Sequence, residues 1–316
     1  MYGLGEEWNP RKARDFSLDD YMGAEPRWCP GCGDHGVLTT VQRVIRDSGL
    51  PPEKVVVVSG IGCSSRFPHY MKTYGFHSLH GRALPVASGI KSRRPDLEVF
   101  VITGDGDNCA IGTGHWIHAL RYNMNLTILM LDNNIFGLTK AQTSPTTKKE
   151  ARSNTHPSGS FFVSLNPISV MLGITNRSFI AQSVDWHTSH LYETIKAARL
   201  HKGASFVRIL QRCPHYTPHA FEEVQNDTSN LVLLNHPDGV MLPESHLKRF
   251  KNIREHDPSD LQAAREMADR PHPFHIGVFF KDANAERYDL VTRLGKGMTP
   301  EEKVAAVERT LDLFTI

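Results

Sequence analysis

A Gly-Asp-Gly turn closing an apolar run constrains this chain more than any other stretch. The run at 97–103 reads as a buried strand, and Gly104-Asp105-Gly106-Asp107 ends it. About one helix and one strand later, the apolar run 126–131 ends in Asp132-Asn133-Asn134-Ile135. Glycines let the backbone approach phosphates closely. Asp105 and the Asn133 amide offer hard oxygen ligands, of which Mg²⁺ takes a few beside phosphate oxygens. Gly-Asp-Gly is also a common turn sequence, so the turn alone carries little. Paired with the second strand and its Asn-Asn, it points to a magnesium-bound diphosphate.

Length and charge narrow the classes. The chain has 316 residues, 40% hydrophobic and 22% charged, which is ordinary for a globular protein with a real core. A formal net charge of +2 gives no electrostatic case for nucleic acid or membrane. Seventeen His are scattered rather than clustered. No apolar window approaches the ~18 residues a spanning helix needs. The first ten residues carry early acid and no long apolar stretch, so a secretory signal is not expected and a cytoplasmic location is. Five Cys do not make a disulfide scaffold in that setting.

Read in order, the chain alternates strands and helices. Residues 1–27 form a polar N-terminal arm. Trp28-Cys29-Pro30-Gly31-Cys32-Gly33 follows, with Asp34 as expected N-cap and Val37, Leu38, Val41, Val44 and Ile45 at helical spacing. The Cys-x-x-Cys thus precedes a helix N-terminus, a place that favours thiolate. Four consecutive Val within 54–59 read as a buried strand leading into Gly60-Ile-Gly-Cys63-Ser-Ser-Arg66. The stretch 67–76 is aromatic and irregular, and small residues make a helix at 83–94. Helices are expected at 112–122, 167–175 and 187–200, and strands at 179–183 and 205–210. The polar segment 136–160 reads as a loop covering a ligand. After about 225 the pattern weakens, with a short strand near 231–234 and helices near 257–268 and 300–313. The expected fold is α/β: a doubly wound, mainly parallel sheet with helices on both faces, carried by 28–225, with 226–316 as a C-terminal extension.

Topology then gathers the cysteines. Loops leaving parallel strands share one edge, where ligands bind. Cys63, Asp105, Asn133 and Cys213 each leave a strand, and Cys29 and Cys32 precede a helix that starts on the same edge. Cys29 and Cys32 alone read equally as a redox dithiol or a zinc half-site, and Cys63 or Cys213 alone as a small buried hydrophobe. Four convergent thiols beside an organic cofactor suit an iron–sulfur cluster, with structural zinc as the alternative. Cys109 reads as packing.

Six motifs carry a family resemblance. Trp28-Cys-Pro-Gly-Cys-Gly33, Gly60-Ile-Gly-Cys-Ser-Ser65, Leu79-His-Gly-Arg82, Gly104-Asp-Gly-Asp107, Asp132-Asn-Asn-Ile-Phe-Gly-Leu-Thr-Lys140 and Cys213-Pro214 resemble the β subunit of 2-oxoacid:ferredoxin oxidoreductases over roughly 20–220. The 2-oxoglutarate type is the most similar. The resemblance implies the diphosphate-type domain of the thiamine diphosphate-binding fold. It implies thiamine diphosphate, Mg²⁺ held by Asp105, Asn133 and the Ile135 carbonyl, and a 4Fe–4S cluster on Cys29, Cys32, Cys63 and Cys213. Gly62, Ser64, Ser65, Gly104, Gly106, Asp107, Gly137, Leu138 and Thr139 would line the cofactor. Arg66 and His80 would face the substrate, and Lys140 and Gln142 sit in the covering loop.

The implied reaction is oxidative decarboxylation of 2-oxoglutarate with coenzyme A, giving succinyl-CoA and CO₂, with electrons leaving to ferredoxin. The glutamate that activates the aminopyrimidine would come from an α subunit in an α2β2 heterotetramer. Pyruvate or another 2-oxoacid is the alternative substrate. A non-redox thiamine enzyme with structural zinc, or a scaffold subunit with a vestigial cofactor edge, are the other readings.

Overall fold

The computed structural model describes residues 16–270, 272–292 and 298–314. Residues 1–15 of the expected arm lie outside them; 16–27 pack on the body, where the buried Tyr21 donates its hydroxyl to the Leu50 carbonyl at 2.7 Å. In chain order the elements are α1 (Asp34–Asp47), β1 (Val55–Ser59), β2 (Tyr74–His77), α2 (Ala83–Arg93), β3 (Glu98–Gly104), α3 (Asp105–Cys109), α4 (Thr113–Tyr122), β4 (Leu126–Asp132), α5 (Pro167–Gly173), β5 (Phe179–Val184), α6 (Thr188–Leu200), β6 (Ala204–Leu210), β7 (Leu231–Asn235), β8 (Asn252–Glu255) and β9 (Phe274–Lys281).

The strands form one nine-stranded sheet in the order β2-β1-β3-β4-β6-β5-β9-β7-β8. Every pairing is parallel except β5 with β9. Central strands are buried on both faces, which is why they read as unbroken apolar runs rather than alternating ones. Alternate residues serve the two layers. Val55, Val57, Phe100 and Ile102 pack with Val37, Val41 and Ile45 of α1 and Leu191 and Ile195 of α6. Val56, Val58, Val99 and Val101 pack with Ala87 of α2, Trp116 and Leu120 of α4, and Met171 of α5. Burying each Val or Ile contributes up to about 1.5–3 kcal/mol, so each face holds its helices firmly. Among the described residues no helix is long and apolar enough to cross a membrane.

Three local expectations change. Asp34 is not the N-cap: Gly33 holds that place, and Asp34 is the first helical residue, fully buried. The stretch at 74–77 is a strand, not irregular chain. Its side chains are all exposed on the sheet edge, so no burial pattern announces it. The segment after 225 supplies β7, β8 and β9 to the same sheet. Gly277 interrupts the apolar signal of β9, yet its φ of +125° and a Cβ that would sit 2.7 Å from the Leu234 carbonyl oxygen require glycine there. The final helix, Pro300–Asp312, shows its apolar stripe of Val304, Val307 and Leu311 outward.

Candidate active site

The chain runs from β1 outward to β2 on one side, then crosses to β3 on the other. That reversal is a switch point of the kind where doubly wound sheets bind ligands, beyond the carboxyl ends of the strands. A cavity of about 210 Å³ lies there. Gly62, Cys63, Ser64, His80, Gly104, Asp105, Gly106, Asp107, Asn133, Ile135, Gly137, Leu138 and Thr139 all line it, together with Phe136 and Gln211. Two expected residues do not. Ser65 is buried behind the wall, its carbonyl accepting from Ser59 Oγ at 2.6 Å. Arg66 points away, its guanidinium 3.4 Å from the Arg27 carbonyl and over the Tyr70 ring. A larger cavity of about 390 Å³, walled by Arg208, Arg270 and His275, shares none of the cysteine-bearing or Gly-Asp-Gly residues.

Glycine is required where the cavity walls meet. A Cβ on Gly106 would collide with the Phe136 ring, and one on Gly60 would collide with the Asp107 carboxylate. Gly62, at φ +139°, has open space beside it. The backbone is therefore bare where a ligand approaches.

Asp105 is buried and accepts from Thr146 Oγ1 at 2.7 Å. Burial pushes its carboxyl up to about 7, the neighbouring Asp132 adds to this, and hydroxyl donors including Thr146 oppose it. Asp132 is itself compensated: Arg208 Nε and Nη2 reach its Oδ2 at 2.8 and 2.6 Å. Thr146 Oγ1 also lies 2.8 Å from Asp132 Oδ1, so one hydroxyl sits between two carboxylates. The covering loop thus reaches down to the acids through Thr146, whose place in the sequence gave no sign of it. Asn133 Oδ1 accepts from the Ile135 N–H at 3.2 Å and fixes that turn.

Asp107 acts on the frame rather than on open space. Its Oδ1 accepts from Ile61 N at 3.1 Å, Gly81 N at 2.7 Å and His80 Nδ1 at 2.6 Å, and its Oδ2 from Thr103 Oγ1 at 2.8 Å. One buried carboxylate therefore ties the loop after β1 to the loop before α2. It also orients His80, whose Nδ1 is engaged and whose ring lines the cavity beside Phe136.

The four cysteines come from three places around the same edge. Cys29 and Cys32 belong to one turn, closed by Cys32 N to the Cys29 carbonyl at 3.1 Å. That turn is tied to the loop after β6 by Gly33 N to the Arg212 carbonyl at 3.0 Å. Cys63 is tied to the first turn by Trp28 Nε1, which donates to the Cys63 carbonyl at 2.7 Å. Among the described residues no three His, Cys, Asp or Glu side chains are drawn close enough to hold one metal ion. The thiols nevertheless feel one another. Burial pushes Cys63 up to about 12, with Asp34, Cys213 and Cys29 adding to it. Cys32 is raised further still, by burial and then Asp34. The thiolate-favouring helix start expected from the sequence is therefore overridden by burial and by acid. Cys109 is buried in the core, its Sγ 3.5 Å from Met130 Sδ.

Residues 60–209 match the family model of the thiamine pyrophosphate enzyme C-terminal TPP binding domain, which defines the class. The chain belongs to the β subunits of the 2-oxoacid:ferredoxin oxidoreductases. It is 36% identical over 264 residues to the 2-oxoacid:ferredoxin oxidoreductase subunit beta of a Sulfolobus species, covering 83% of this chain and 84% of that one. It is 46% identical over 218 residues to the 2-oxoglutarate oxidoreductase subunit KorB of Mycobacterium tuberculosis, covering 69% of this chain. The matched region spans only 57% of that relative's length. A solved 2-oxoglutarate:ferredoxin oxidoreductase from Magnetococcus marinus, with 2-oxoglutarate, coenzyme A and succinyl-CoA bound, superposes with a TM-score of 0.76 at 35% identity. That match covers 94% of this chain and 97% of the other.

Proposed function

We propose that this chain is the β subunit of an enzyme that oxidatively decarboxylates 2-oxoglutarate, with coenzyme A as acyl acceptor and ferredoxin as electron acceptor. The observation that carries the reading is the single edge on which Asp105, Asn133, bare glycine backbone and the three loops bearing the four cysteines meet. Asp105, Asn133 and the Ile135 carbonyl are the Mg²⁺ ligands, a hard-oxygen set of the kind that cation takes. Gly104 and Gly106 bring backbone to the diphosphate. Cys29, Cys32, Cys63 and Cys213 hold a 4Fe–4S cluster. Cys32 and Cys63, pushed upward first by burial and then by Asp34, need a cationic centre to become ligands, and thiols from separate loops suit a cluster of several atoms better than one zinc ion.

Thiamine diphosphate supplies the electron sink that makes loss of CO₂ from a 2-oxoacid feasible. The chain's own residues do the rest of this half-site. Phe136, Leu138 and Ile135 give the cavity an apolar wall that disfavours water beside the cofactor. His80, oriented by Asp107, presents its free ring nitrogen for moving a proton at the substrate's carbonyl oxygen. The glutamate facing the aminopyrimidine belongs to the α subunit, so the chain alone is inactive. The outward stripe of Val304, Val307 and Leu311 and residues 16–27 are surfaces for that partner.

The test is co-purification with the α subunit under anaerobic conditions, followed by a panel of 2-oxoacids with coenzyme A and a viologen acceptor. Reduction fastest with 2-oxoglutarate supports the reading. Reduction with pyruvate only moves the substrate assignment, and a colourless, zinc-loaded complex sinks the redox chemistry altogether.

A further inference from the structure

The cavity and the cysteines share one side chain. Gln211 lines the cavity that holds Asp105 and Asn133, and its Nε2 lies 3.3 Å from Cys32 Sγ. The same Nε2 also donates to the Arg212 carbonyl. Among the described residues no other side chain donates a hydrogen bond to the sulfur of Cys29, Cys32, Cys63 or Cys213.

The placement is built, not incidental. Gln211 is buried, and its backbone N–H donates to the Asp132 carbonyl at 2.9 Å, anchoring it to the end of β4. Gly33 makes the room, since a Cβ there would sit 3.0 Å from Gln211 Cγ and 2.6 Å from the Asp185 carboxylate. Asp185 in turn holds Arg212, accepting from its backbone N–H at 3.1 Å and its Nε at 2.9 Å. The Gln211 backbone and the neighbouring Arg212 are therefore both fixed, which holds the amide at the sulfur.

Resting on the cluster assignment above, we propose that Gln211 sets the reduction potential of the cluster through its amide hydrogen bond to Cys32. Reduction adds negative charge to the cluster and its thiolates. An N–H donor at a ligand sulfur stabilises that added charge more than the oxidised state, so it raises the potential. Gln211 thus stands between the cavity, which it lines, and Cys32, which its amide reaches. It is a positioning residue: it touches a ligand sulfur, not the reacting carbon.

The experiment is an EPR-monitored redox titration of the anaerobically purified α/β complex, parent against Gln211→Leu and Gln211→Glu. Both variants lose the amide donor, and the glutamate keeps the shape should leucine disturb the turn. The midpoint should move to more negative potential in each. At the parent's midpoint the reduced-to-oxidised ratio should fall roughly five-fold with leucine, as expected for one lost hydrogen bond of ordinary strength. Iron and labile sulfide content should remain at the parent level. An unchanged or more positive midpoint in a loaded variant overturns the proposal, and so does loss of the cluster from both, which would make Gln211 a structural prop. A parent complex lacking iron and labile sulfide refutes the functional reading itself, a result distinct from any of these.

Discussion

Replacing Arg208 with methionine tests how the acids of the site are held. Asp132 is completely buried and Arg208 only 12% exposed, so water screens their pair little. Arg208 places two nitrogens on Asp132 Oδ2, and its Nη1 lies 3.1 Å from Gln182 Oε1. Asp132 Oδ1 keeps two donors, Asn134 N and Asn134 Nδ2, and shares the single Thr146 hydroxyl with Asp105. Breaking a buried pair by removing one partner costs about 3–5 kcal/mol, because a charge is left uncompensated. The surviving donors place Arg208→Met near the lower end, about 3 kcal/mol. Adding Asp132→Asn removes the stranded charge and should return about 2 kcal/mol of that loss. Urea unfolding of the four chains of this cycle at neutral pH reads both numbers. A single variant costing less than about 1 kcal/mol, or a double variant as unstable as the two single losses summed, would refute the reasoning.

Two further outcomes follow from named contacts. Asp107→Asn keeps an oxygen for Ile61, Gly81 and His80 but loses the charge opposite His80, so turnover should fall at least about ten-fold while thiamine diphosphate affinity, read by calorimetry, stays at the parent value; a variant that instead loses the cofactor would make Asp107 a binding residue. His190 is fully buried and held down to about 3 by burial, with His187 adding to it. The unfolded chain takes up that proton near pH 6.5 and the folded chain does not, so the stability this neutral ring contributes is full above 6.5 and falls with pH toward 3, by about 1.4 kcal/mol per unit. Between pH 6.5 and 5.5 the parent should therefore lose about 1 kcal/mol more than His190→Gln in urea unfolding, and equal losses would contradict the assignment.

Much of the site was legible because it is made of chain order. Val55–Ser59, Glu98–Gly104, Leu126–Asp132 and Ala204–Leu210 are apolar runs, and each ends in a residue of unusual chemistry. Parallel pairing then obliges those ends to meet, which is why Cys63, Asp105 and Asn133 could be placed together before any contact was known. Contacts that follow no period stayed hidden. Thr146 reaches Asp105 from a polar loop, and Gln211 reaches Cys32 across the chain; neither position carries a spacing signal. Asp107 looked like part of a phosphate turn, yet four donors from three segments claim its oxygens. Strands β2 and β8 are fully exposed, and Gly277 interrupts the apolar run of the buried β9, so none of them showed the unbroken apolar signal that marks the central strands.

The central claim is that four cysteines on this edge hold an iron–sulfur cluster beside a magnesium diphosphate half-site. The most direct measurement is the metal and acid-labile sulfide content of the anaerobically purified complex. About four iron and four sulfide per β chain are expected, lost together on Cys213→Ser. One zinc per chain with no labile sulfide, unaffected in colour by that substitution, would contradict it.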